Sequence, residues 1–155
     1  MLENETELAA VNTKDISTTM SINSFADMIV DDVRTCGYYA TFSTEGMKGS
    51  KRLFSATNSA ELLREYMETP ITVADIVFSP TVITNETGET DTVLGTYIID
   101  KDGNSYVSSS NGVARSAMQI LSQFGMPDTW DEDLSVVCRE SNTAKGRRFK
   151  FLDIV

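Results

Sequence analysis

The run ITVADIVFSPTVIT, residues 71–84, decides the architecture of this chain. It reads as one long strand, begun at Pro70 and interrupted by Pro80, a residue that strands tolerate only where no ladder donor is needed. On its C-terminal side, Asn85 and Gly88 supply the turn chemistry of a hairpin leading into a second strand, Thr92–Ile99. Asp100-Lys101-Asp102-Gly103-Asn104 comes next. It begins like a calcium loop, with oxygen ligands at positions 1, 3 and 5, but the twelfth position is Asn111 where a bidentate Glu is required. Asp-Gly between two β-rich runs is instead a hairpin turn, and Ser105–Ser109 is the returning strand.

Further along, the period changes. Val113, Met118, Ile120, Leu121 and Phe124 form an apolar face over residues 112–125, and Gly125 sits where a helix-ending glycine belongs. Met126-Pro127-Asp128 closes that helix, and Leu134–Arg139 and Arg148–Ile154 form a last hairpin around Asn142–Gly146. Working back from residue 71, Ser59 is expected to cap a helical segment over Ala60–Met67. Tyr38–Thr44 and Lys51–Thr57, joined through Gly46-Met47-Lys48-Gly49, read as a hairpin. Ser24 is expected to cap a short helix over Phe25–Val33, with Phe25, Met28, Ile29 and Val33 on the face packed against the body. Residues 1–20 show no sustained period and read as a weakly ordered arm.

The expected organisation is thus an acidic arm with a short helix over residues 1–36, then a mainly β domain over 37–155. Antiparallel strands in this number avoid exposed edges best by curling. An OB-like antiparallel barrel of five to six strands, with one main helix at about 112–125, is the simplest closure. A half-open sheet with a helix across it is the alternative.

Composition excludes several chemistries. Histidine is absent, so the usual Ser-His-Asp and Cys-His nucleophilic machinery and His-ligated zinc are not available. There is no phosphate-binding G-x-x-x-x-G-K-[ST] loop and no G-x-G-x-x-G. No carboxylate pair stands out by spacing, so no enzyme and no cofactor are expected. Cys36 and Cys138 are too far apart for a metal or disulfide framework and are expected as reduced, half-buried thiols. No stretch approaches the ~18 apolar residues of a membrane span, and the acidic start lacks the order of a secretory signal. A soluble, intracellular protein without a membrane partner is expected.

The net charge is −10, from 23 acidic and 13 basic residues. Much of it is local. Glu3, Glu5, Glu7, Asp15, Asp27, Asp31 and Asp32 oppose only Lys14 and Arg34 in residues 1–36. Basic residues gather instead at Lys48-Gly49-Ser50-Lys51-Arg52 and Lys145-Gly146-Arg147-Arg148-Phe149-Lys150.

Several of these stretches occur in a familiar order. Lys51 to Thr57, Thr87-Gly88-Glu89 leading to Thr92, Asp102 to Tyr106, Ser109 to Leu121, and Asn142 to Phe149 together resemble the single-stranded-DNA-binding proteins of small protein-primed podophages. The resemblance covers about residues 50–155. It implies a cofactor-free OB-fold protein of the host cytoplasm that coats strands displaced in phage DNA replication with little sequence preference. Its partners would be single-stranded DNA and replication proteins.

A single strand is held by cations along its phosphates and by aromatic faces under its bases. The candidate contacts are Lys48, Lys51, Arg52 and Phe54 in one stretch, Lys145, Arg147, Arg148, Phe149 and Lys150 in another, and Tyr97 and Tyr106. Tyr38 and Tyr39 are further platforms. Alternation along the last strand leaves two assignments open. Either Leu152 and Ile154 face the core and Phe149 and Phe151 face DNA, or the phenylalanines are core and Arg148 and Lys150 take the phosphates. The acidic arm reads as a solvating tail, with self-association or a protein partner as the alternative. Two rival classes share these features: a phage assembly protein, and an acidic mimic of nucleic acid that inhibits a host protein.

Overall fold

Three hairpins of the chain turn on the same local chemistry. In each five-residue loop the first residue offers a side-chain oxygen and the fourth is a glycine at positive φ: Asn85 with Gly88, Asp100 with Gly103, and Thr143 with Gly146. Asn85 Oδ1 accepts from the amides of Thr87 and Glu89 at 3.0 and 2.9 Å. Asp100 Oδ1 does the same for Asp102 and Asn104 at 2.9 and 2.8 Å. Thr143 Oγ1 accepts from Arg147 N at 3.1 Å. The side chain replaces a backbone acceptor and the glycine admits the left-handed step, so the returning strand re-enters in register. The Asp100 loop is therefore a turn held by its own carboxylate.

The computed structural model describes residues 22–155; the arm expected over residues 1–20 lies outside the described residues. Its strands are β1 (Tyr39–Ala40), β2 (Glu61–Leu62), β3 (Ile71–Thr84), β4 (Thr90–Asp100), β5 (Ser105–Ser108), β6 (Ser135–Asn142) and β7 (Arg148–Ile154). The helices are α1 (Ile22–Cys36), α2 (Gly46–Asn58) and α3 (Asn111–Phe124). The strands form one sheet in the order β2-β5-β4-β3-β6-β7, with β1 against β3. It is curled into a half-barrel, and the end strands β2 and β7 do not pair. Pro80 pairs with Leu94 of β4, beyond the reach of β1, which opposes only Phe78 and Val77. There β3 has a partner on one side only, which is where a strand accommodates proline.

β3 carries an extra residue at Ala74, since Val73 opposes Asp100 and Asp75 opposes the adjacent Ile99. The bulge inverts the alternation. Ile71 and Val73 face the main core before it, and Ile76 and Phe78 after it. Without the bulge, Asp75 would share the core-facing side with Val73. With it, the Asp75 carboxylate turns to the outer face, where it accepts from Thr41 Oγ1 at 2.7 Å and pairs with Arg52. A buried carboxylate is tolerable only when paired in this way.

Two apolar clusters hold the sheet. The main one lies inside the curl and joins Phe25 and Ile29 of α1, Val113, Ala117, Met118 and Leu121 of α3, and inward residues of β3, β4, β6 and β7. The helical face expected to pack on the body of the domain does so. The smaller cluster lies on the outer face, where Ala56 and Leu53 of α2 cover Val77, Tyr97 and Ile99. Cys36 is exposed and Cys138 buried, both as free thiols. Burial pushes the Cys138 thiol up, with Glu68 and Glu140 adding to the shift and Lys150 opposing it.

Four expectations need correction. Lys51–Thr57 is not the second strand of a hairpin but the middle of α2. Gly49, Leu53 and Ala56, spaced i, i+4 and i+7, pack inward as one helical face, and a Cβ on Gly49 would lie 2.5 Å from Ser43 O. Over Ala60–Met67 the chain forms β2 and a 3₁₀ turn at Leu63–Tyr66, because Glu61 and Leu62 pair in parallel with Tyr106 and Val107 and Leu63 enters the main core. α1 starts at Ile22, so Ser24 lies in its first turn rather than at its cap. The fold has three helices, not one main helix, although α3 falls where the period placed it, capped by Ser110 Oγ and ended at Gly125.

Candidate nucleic-acid interface

α2 has two faces of opposite character. Gly49, Leu53 and Ala56 bind it to the sheet, while Met47, Lys51, Phe54 and Asn58, at i, i+4, i+7 and i+11, point outward. Met47 is 72% and Phe54 68% exposed. Lys48 flanks the same face. Among the described residues neither Lys48 nor Lys51 has an acidic partner within 4.0 Å. An exposed aromatic ring beside two unpaired ammonium groups offers both devices that hold a single strand.

Arg52 does not join them. Its guanidinium turns inward to pair with Asp75 and lies 4.2 Å above the centre of the Phe42 ring. It pins α2 to the outer face of β3 and is occupied there.

The tip of the β6–β7 hairpin forms the second surface. Leu152 is buried, so the strand takes the first of the two assignments, with Phe149 and Phe151 on the face away from the core. Their ring centres stand 5.8 Å apart at 37°, and Phe149 is 40% exposed. Ile154 was to accompany Leu152 inward but is 40% exposed. Arg148 and Lys150 occupy the opposite side and share Glu140, at 3.8 and 4.0 Å. These are long, exposed pairs of little worth, easily exchanged for a phosphate. Lys145 and Arg147, in and beside the turn, have no acidic partner among the described residues.

The tyrosines are placed otherwise. Tyr97 is 4% exposed and packs under α2, so it is a core residue and not an open platform. Tyr106 donates to Asp100 Oδ2 at 3.0 Å and meets Tyr66 edge-on, with ring centres 5.0 Å apart. Its pKa is raised by burial first, then by that hydrogen bond and by the charges of Asp100, Glu61 and Asp102. Three carboxylates around one ring repel a phosphate backbone. Tyr39 packs between Phe25 and Phe78, and Tyr38 bonds to Thr44.

Of the eleven candidate residues, the structure brings together Lys48, Lys51 and Phe54 on α2, and Lys145 to Lys150 on the hairpin. It withdraws Arg52, Tyr97 and Tyr106. Sequence reasoning missed Met47 and Asn58, whose i and i+11 positions with Lys51 and Phe54 become visible only when the segment is read at helical period. It also missed Arg64, an isolated cation within the 3₁₀ turn that no cluster announces.

A curled β-sheet that offers unpaired cations beside exposed aromatic rings, at two places on an otherwise acidic chain, has the makings of a protein that holds a single polynucleotide strand. A family model described as "Phage Single-stranded DNA-binding protein" matches residues 33–155, and the chain belongs to that family. Single-stranded DNA binding and a phage origin come with membership, as does a role in binding rather than catalysis. No curated protein and no solved structure matches the chain.

Proposed function

We propose that the protein coats single-stranded DNA without sequence preference, protecting strands displaced during phage DNA replication in the host cytoplasm. The observation that carries this reading is the pairing of free cations with exposed rings on α2 and on the β6–β7 tip, in a chain whose net charge is −10. Both surfaces combine phosphate attraction with stacking, which any base satisfies. No covalent step and no cofactor enter the mechanism.

The connectivity supports an OB-type barrel. β3, β4 and β5 form a meander, α3 follows, and β6 returns to lie beside the start of β3, through Ile71 opposite Val136. That is the order of a partly open five-stranded Greek-key barrel. In such barrels the face of the second and third strands binds the ligand. Here α2 covers that face, so α2's own outer surface takes over the task. The acidic arm keeps the coat soluble, and self-association or a replication protein is the partner it would serve.

Fluorescence anisotropy of labelled oligo-dT, beside a duplex of equal length, tests the reading. Tight binding of the single strand, with log K falling against log salt by about 0.7 per phosphate contact, is expected. With Lys48, Lys51, Lys145 and Arg147 engaged, the slope is about −3. Equal affinity for the duplex, or no dependence on salt, contradicts it.

A further inference from the structure

The half-barrel does not close, and the gap has a chemistry of its own. On one side of it, β2 ends at Leu62 and the chain turns through Arg64; on the other runs β7 with Lys150. The end of β5 and the residues up to Ser110 lie between them, and the whole encloses a cleft of about 250 Å³. No strand pairing bridges it. Instead, Ser110 Oγ donates to Lys150 O at 3.4 Å, and Gly112 packs against the same carbonyl.

The lining is unusual for this protein. The chain has 23 acidic residues against 13 basic ones, yet among the described residues no carboxylate lines the cleft, and two of its walls carry cations. Arg64 is exposed and has no acidic partner among the described residues. Lys150 has only Glu140, at 4.0 Å. Three consecutive serines contribute, of which Ser109 is exposed and has no partner among the described residues, and Ser108 accepts from Ser110 N at 3.1 Å, leaving its proton to give. Among the described residues no aromatic ring lines the cleft, so they offer a base nothing to stack on. Its volume falls below the ~300–1,000 Å³ of small-molecule pockets. Guanidinium, ammonium and hydroxyl donors around a small cleft suit an oxyanion, and the oxyanion a single-strand binder meets is the phosphodiester.

We propose that the open seam between β2 and β7 is a phosphodiester-binding cleft, through which the backbone of the bound strand passes, with Arg64 and Lys150 as its opposed cations. The inference rests on the single-strand-binding reading above and extends it. Lys150 continues the basic run of the β6–β7 tip along β7, while Arg64 follows β2, which is reached directly from the end of α2. The seam thus gives the backbone a path between the two stacking surfaces. Contacts made only to phosphate position the strand and carry no sequence information.

The test is Arg64→Gln in the full chain, titrated into labelled oligo-dT over a series of salt concentrations. Arg64 is exposed, so the thermal midpoint should match the wild type. The variant is expected to lose about 0.7 from the salt slope and about fivefold in affinity at 0.1 M salt, the share of one phosphate contact. Arg64→Lys should recover most of that loss, and Lys101→Gln, whose ammonium pairs with Asp133, should change neither quantity. If the wild type binds and Arg64→Gln matches it in slope and affinity, the seam proposal is overturned alone. A loss of affinity with an unchanged slope overturns it too. If the wild type leaves the oligonucleotide free at low salt, the parent reading fails and the seam with it.

Discussion

The Thr96 hydroxyl sits in the interior with no hydrogen-bond partner among the described residues, on a residue that is fully buried. An unmade hydrogen bond there costs about 1–3 kcal/mol, and valine has the same shape without the polar atom. Thr96→Val is therefore expected to raise stability by about 1 kcal/mol, read as a higher urea midpoint at unchanged slope. A lower midpoint would mean that the hydroxyl is satisfied in solution. The two classes of aromatic residue separate at the same scale. Phe54→Ala removes an exposed ring and should leave the thermal midpoint nearly unchanged, while weakening single-strand binding by about 1–3 kcal/mol. Tyr97→Ala should do the reverse, costing about 3–5 kcal/mol of stability as a buried aromatic does. Denaturation and anisotropy on the two variants distinguish core from platform.

At the scale of elements, the half-barrel depends on how α3 meets β7. A Cβ on Gly112 would lie 2.0 Å from Lys150 O, and backbone cannot yield as a flexible side chain can. Gly112→Ala should therefore push α3 off β7 and cost several kcal/mol, despite alanine's better helix propensity of about 1 kcal/mol. A stabilised variant would show that α3 and β7 are not in contact. The elements also show what a sequence carries and what it hides. The strand 71–84, its two following hairpins, the helix ended at Gly125 and the closing hairpin could be placed, because their turns rest on local chemistry at Asn85, Asp100, Gly88 and Gly103. α2 could not. Its stretch GMKGSKRLFSATN has two glycines and several hydroxyl residues, poor helix formers, and it is helical because Gly49, Leu53 and Ala56 find the outer face of β3 and β4. The bulge at Ala74 that turns Asp75 outward is equally silent in sequence. The candidate cations were legible as clusters. Their grouping was not, because Arg52 differs from Lys51 only in which side of a helix it occupies.

Over the whole molecule, charge is arranged by sign rather than balanced. Glu86, Glu89 and Asp91 mark the tip of the β3–β4 hairpin, while Lys145, Arg147 and Arg148 mark that of β6–β7. On the proposed reading a strand of phosphates avoids the first of these and follows the second, the face of α2 and the seam between β2 and β7. Hydrogen–deuterium exchange of the full chain, with and without oligo-dT, reads this arrangement directly. New protection is expected over residues 46–58 and 142–150, and none over 85–91. Protection confined to 85–91, or spread over the chain with neither α2 nor the β6–β7 tip affected, would contradict it.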